Sequence, residues 1–173
     1  MRRTLPFLTA ILLLSACHQA DTHAKIGKVE VATSKCFGTC QSTLTVIDSD
    51  LNYHFYGGGI AKGSDSVRKS KMYGFYRAKI SRPFWDSLTT RLQENHYLSL
   101  DTGFTPENDV QFLEILVHYG KQVKRIHGYE IDLPTDLVKT IKWVAGSHTT
   151  IRPLAVKDTF HTDINDWDGW ERP

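Results

Sequence analysis

The chain has 173 residues, 40% of them hydrophobic, with 21 Lys+Arg against 19 Asp+Glu and a net charge of +2. That length carries one domain with its own core. A balance so close to neutral argues against nucleic acid as partner, because such binding needs clustered positive charge.

The chain begins Met1-Arg2-Arg3-Thr4, runs almost wholly apolar from Leu5 to Leu14, and reaches Ser15-Ala16-Cys17. A positive start, a short apolar run and small residues before a break describe a secretory signal over residues 1–16. As a helix the apolar run spans about 15 Å, half of a bilayer core. Leu14-Ser15-Ala16-Cys17 resembles the lipobox of bacterial lipoproteins. That resemblance implies cleavage before Cys17 and fatty acylation of Cys17, palmitate included; ordinary cleavage would leave a free thiol. His18, rather than Asp, follows the cysteine, which by the same resemblance favours the outer membrane over the inner, facing the periplasm. Removing residues 1–16 takes Arg2 and Arg3 away and leaves Lys+Arg level with Asp+Glu at 19. Residues 17–25 are polar and aperiodic, a tether.

Ile26 to Thr33, with Val29 and Val31 alternating with polar neighbours, is the first predicted strand. Cys36-Phe37-Gly38-Thr39-Cys40 follows. A bridge here requires Cα atoms about 4.4–6.8 Å apart, so the segment must turn back, and Gly38 is the residue free to take a positive φ. With Cys17 lipidated, Cys36 and Cys40 remain as a pair in an oxidising compartment. Thr43 to Ile47 is a second strand, Asp48-Ser49-Asp50 a turn, and Asn52 to Tyr56 a third strand stopped by Gly57-Gly58-Gly59. Gly63 to Lys71 reads as a polar loop and Tyr73 to Ile80 as a fourth strand, giving an antiparallel meander. Ser81, Pro83 and the Phe84, Leu88, Leu92 spacing predict a helix from about Arg82 to Asn95. Residues 101–109 form a loop.

Val110 to Tyr119 and Gln122 to His127 form a hairpin about Gly120-Lys121. Pro134 opens a second helix, capped by Asp132 or Leu133, with Leu137, Val138, Ile141, Val144 and Ala145 on one face and Gly146 as a C-terminal stop. Ile151 to Val156 packs on the domain, and 157–173 is a flexible tail. The expected fold is α+β: one small domain over 26–156, an antiparallel sheet of meander plus hairpin packed against two helices.

The Cys36-Phe37-Gly38-Thr39-Cys40 run before a strand, and Leu133-Pro134 opening a last helix behind a hairpin containing Val123, resemble family 6438 of bacterial domains of unknown function. The resemblance spans roughly Lys28 to Ala145. It implies a small α+β domain and brings no catalytic residues. Where that pattern continues with Pro-x-Tyr, this chain has Gln41-Ser42-Thr43.

Three readings stand for Cys36 and Cys40: a structural disulfide, a redox or sensor pair, or part of a metal site. Lys35 would help a thiolate, but three residues separate the cysteines instead of the two of C-x-x-C, and a strand follows. Histidines at 18, 23, 54, 96, 118, 127, 148 and 161 show no ligand spacing, so no metal and no cofactor are expected. A two-residue turn at Gly120-Lys121 sets Glu114 opposite His127, a polar pair that acid–base chemistry or a surface contact would use. Asp163 to Gly169 superficially resembles a calcium loop, without acids at alternate positions before the glycine. Arg68-Lys69-Ser70-Lys71 reads as a solvated loop, or as a weak site for anionic envelope material. Tyr53, Tyr56, Tyr73 and Tyr76 divide between core and a binding face. No nucleophile elbow, phosphate loop or dinucleotide fingerprint occurs. The expectation is a lipid-anchored envelope protein with a non-catalytic binding or structural module, its ligand or partner protein in the envelope; the alternative is a thiol–disulfide protein using Cys36 and Cys40.

Overall fold

Alternation along Ile26–Thr33 sends Val29 and Val31 to one side and Lys28 and Glu30 to the other, and the domain is built on both sides of that strand. The computed structural model describes residues 25–36, 40–61, 67–101 and 110–164. The predicted signal, Cys17, most of the tether, Gly38, the loop after Asp101 and the calcium-like residues beyond Ile164 lie outside them.

Seven strands form one sheet: β1 (Ile26–Thr33), β2 (Gln41–Asp48), β3 (Asn52–Ala61), β4 (Val67–Lys79), β5 (Phe112–Tyr119), β6 (Gln122–Tyr129) and β7 (Leu154–Val156). Their order is β6-β5-β1-β2-β3-β4-β7, and every pairing is antiparallel. Meander and hairpin thus join at β1, whose free edge takes β5. Helices α1 (Arg82–Glu94) and α2 (Thr135–Gly146) bury Trp85, Leu88, Leu92, Leu137, Ile141 and Val144 in a cluster with Val29, Val31, Ile47, Phe55, Ile115 and Val117. The domain is therefore α+β.

Ser81 caps α1, its Oγ accepting from Phe84 N at 3.3 Å. At α2 neither Asp132 nor Leu133 is the cap. Pro134 is, with ψ 132° and no side-chain bond, and its carbonyl accepts from Val138 N at 3.0 Å. Nor does Gly146 stop α2 by turning left-handed. Ser147 follows at φ −64°, its Oγ donating to Val144 O at 2.6 Å, and the chain coils on into the short α3 (His148–Ile151). The left-handed residue is Arg152, at φ 54°.

Three further expectations are corrected. The glycines do not stop β3, which runs on to Ala61. They are needed because neighbours come too close for side chains: a Cβ on Gly57 would stand 1.7 Å from Met72 O, and one on Gly58 2.0 Å from Ser42 Oγ. Second, the basic run is strand, since β4 starts at Val67. Gly57 pairs with Gly74 and Gly59 with Lys69, so Ser70 to Tyr73 bulge out opposite Gly58 alone. Third, residues 157–164 are not a loose tail. They cross the open face of the sheet as a strap, with Ile164 fully buried and Phe160 packed on a second cluster of Ala32, Leu44, Tyr56, Phe75 and Leu116.

Candidate functional site

The bulge in β4 shapes one wall of a concavity. A cleft of about 810 Å³ lies between it and the end of α3, lined by Gln41, Ile60, Lys69, Ser70, Lys71, Met72, His148, Thr149, Arg152 and Pro153. Ile60, Met72 and Pro153 make it apolar; Lys69, Lys71 and Arg152 make it positive. Lys69 Nζ sits 5.0 Å above the Tyr73 ring. Among the described residues neither Lys71 nor Arg152 has an ion-pair partner. His148 is fixed from two sides: its Nδ1 donates to Ala145 O at 2.9 Å, and its ring stacks on Phe55 at 4.5 Å. A carbonyl only accepts, so Nδ1 carries a proton and, in the neutral ring, Nε2 is left as an acceptor.

Cys36 and Cys40 are disulfide-bonded, with Cα atoms 5.2 Å apart. A strand rather than a helix follows Cys40, since β2 begins at the next residue, Gln41. The bridge thus sets the entry into β2 and the place of Gln41, whose Nε2 donates to Ser70 Oγ at 2.6 Å and to Gly58 O at 3.4 Å. A proline at position 41 would make neither bond.

A second polar cluster lies under the strap. Glu30 is fully buried. Its carboxylate accepts from Lys28 Nζ at 2.7 Å, His118 Nε2 at 2.8 Å, Thr162 Oγ1 at 2.6 Å and Asp163 N at 2.9 Å. Asp163 in turn takes Lys28 at 2.8 Å and His161 at 3.1 Å. Its hydrogen bond to Lys28 holds the Asp163 carboxyl below the usual carboxylate range. Burial pulls Lys28 down, but its bonds to Asp163 and Glu30 outweigh that and leave it raised. Glu30, His118 and Asp163 offer three ligand atoms within 4.8 Å of one another, a set that could hold a metal ion. The Lys28 ammonium bridges the two carboxylates, 2.7 Å from Glu30 and 2.8 Å from Asp163, and balances their charge. Its members are too far apart in the chain to show as a motif, and only the buried Glu30 inside an apolar strand hints at them.

The hairpin turn pairs Tyr119 with Gln122 and hence Glu114 with His127. The Glu114 side chain, almost wholly buried, meets Arg125 Nε at 2.6 Å, a charge contact without hydrogen-bond geometry. His127 Nδ1 has no hydrogen-bond partner among the described residues. Burial, then the Arg125 charge, lowers the His127 pKa against the pull of Glu114. Of the four tyrosines, Tyr53 and Tyr56 are buried, and Tyr76 packs against the helix-side core. Only Tyr73 is exposed, near the cleft.

Residues 27–147, from β1 to the end of α2, match the family model described as a domain of unknown function, DUF6438. The chain belongs to that family. DUF6438 therefore takes in the disulfide, the glycine-lined bulge and both long helices. The far wall of the cleft (His148 to Pro153), β7 and the strap lie beyond the matched residues. No curated protein matches the chain significantly.

Proposed function

We propose that this is a cell-envelope lipoprotein, held by lipid at Cys17 on the periplasmic side of the outer membrane, whose DUF6438 domain is a non-catalytic binding module. The cleft between the β4 bulge and α3 is its ligand site. The observation that carries this reading is that cleft: about 810 Å³, within the range usual for small-molecule sites, apolar with a few placed polar groups. Binding fits better than catalysis because Ser70, the hydroxyl on the cleft wall of the bulge, is bonded to Gln41 and makes no hydrogen bond to His148. A nucleophile without a base beside it is weak. The disulfide serves as a brace for the Gln41 wall.

The test is retention of a ligand. The purified protein is incubated with an organic extract of bacterial envelopes and repurified, and whatever stays bound is identified by mass spectrometry. Thr149→Trp, at an exposed lining position, puts an indole into the cleft. Wild type should retain a defined small molecule that Thr149→Trp loses. Equal retention by both, or retention by neither, contradicts the reading.

A further inference from the structure

Resting on the cleft as the binding site, we infer the class of its ligand: an oxyanion, phosphate or carboxylate, carried on an apolar acyl or aromatic body. Lys71 and Arg152 hold the anion, and Ile60, Met72 and Pro153 take the body. Among the described residues no carboxylate lines the cleft. The charge on its walls is positive, and neither Lys71 nor Arg152 has an ion-pair partner among the described residues. Unpaired cations beside an apolar surface complement an amphiphile whose head is negative.

Arg152 adds an independent observation. It sits at φ 54°, ψ 61°, left-handed backbone that suits glycine and disfavours a side-chain-bearing residue. At this position the backbone does all the structural work: Arg152 N donates to His148 O at 3.1 Å, a bond glycine would also make. The Arg152 side chain costs the fold conformational strain and lines the cleft. A guanidinium presents a fork of donors that matches the oxygens of phosphate or carboxylate. Lys69, restrained over Tyr73, adds positive potential at the same wall.

The experiment is a calorimetric titration of the purified full chain with four probes. They are monomeric dodecyl phosphate, neutral dodecyl maltoside below its micelle concentration, inorganic phosphate, and phosphatidylglycerol vesicles. Dodecyl phosphate is expected to bind at least tenfold more tightly than dodecyl maltoside or inorganic phosphate, and to weaken as salt rises. Lys71→Gln and Arg152→Gln, both at exposed positions, should each weaken it roughly fivefold to tenfold. Arg152→Gly should weaken it as much while leaving the melting temperature unchanged or higher. Capture by vesicles that the same substitutions abolish identifies a bilayer headgroup as the source; binding of the monomer alone identifies a diffusing amphiphile, and each supports the inference. Equal binding of the maltoside overturns the anion while leaving the cleft a binding site. Equal binding of inorganic phosphate overturns the apolar body. Binding unmoved by Arg152→Gly overturns the role of Arg152. Failure of every probe, together with the loss of ligand retention in the envelope extract, removes the binding reading itself.

Discussion

On one face of the sheet, α1 and α2 lay Leu88, Leu92, Leu137 and Ile141 against Val29, Val31, Ile47 and Phe55. On the other, an eight-residue strap crosses a smaller apolar patch and is tied down by one buried carboxylate, Glu30. The first face is held by area removed from water, the second by a few charge-assisted hydrogen bonds over a small core. Hydrophobic burial itself is nearly indifferent to pH, whereas the strap's bond between Lys28 and Asp163 joins two charged groups whose pKa values it shifts apart. One sheet therefore carries a cover held mainly by apolar area and a cover held mainly by a few polar contacts.

The largest effect should come from the helix face. Leu88→Ala, at a fully buried site, is expected to cost about 2–5 kcal/mol in denaturant unfolding. A loss under about 1 kcal/mol would deny that this face dominates stability. Next comes alkaline pH on the same face. Burial pushes the Tyr53 hydroxyl up to about 12, against a smaller opposing pull from Ser147 and Thr45. An unfolded tyrosine ionises near pH 10, so its contribution is complete below that pH. Between about pH 10 and 12 the unfolded chain gives up the proton and the folded one keeps it, a loss of about 3 kcal/mol. Tyr53→Phe should flatten that part of the stability curve.

On the strap face, Glu30→Ala should cost about 2 kcal/mol, because it strands several donors at once. Backbone amides of residues 160–164 should then exchange with solvent faster than those of β1. Equal protection of the strap in wild type and variant would show that Glu30 is not its anchor. Smaller still is the acid effect. The Asp163 pKa is depressed, so its contribution is present above about pH 4 and lost as pH falls through the folded value. Amide exchange below pH 4 should open the strap before α1 or α2. Simultaneous opening would erase the distinction between the faces.

What the sequence made legible follows the same division. Helix spacing at Phe84, Leu88 and Leu92, the apolar face of α2, and the Gly120-Lys121 turn with its register are local signals, and each has its counterpart in the structure. Gly57-Gly58-Gly59 reads as a stop because glycine runs mark turns. Its real cause is the Met72 carbonyl, fifteen residues on in β4, and nothing local announces that approach. The basic run was visible as residues, but its role as a cleft wall needs α3 and Arg152, some eighty residues away. Glu30 meets Thr162 across 132 residues. A polar strap with few apolar anchors has no periodicity by which it could be distinguished from a tail.

The measurement that bears most directly on the function is an amide chemical-shift map of the full chain titrated with dodecyl phosphate, because it compares the cleft with positive side chains elsewhere on the sheet in one experiment. The cleft wall carries Lys69, Lys71 and Arg152; the comparison points are Arg77, which donates to Thr159 O, and Arg125, which is paired with Glu114. The expected result is that the largest shifts fall on Ser70 to Met72 and His148 to Arg152, with Arg77 and Arg125 unmoved. Largest shifts around Arg77 or Arg125, with the β4 bulge and α3 silent, would contradict it.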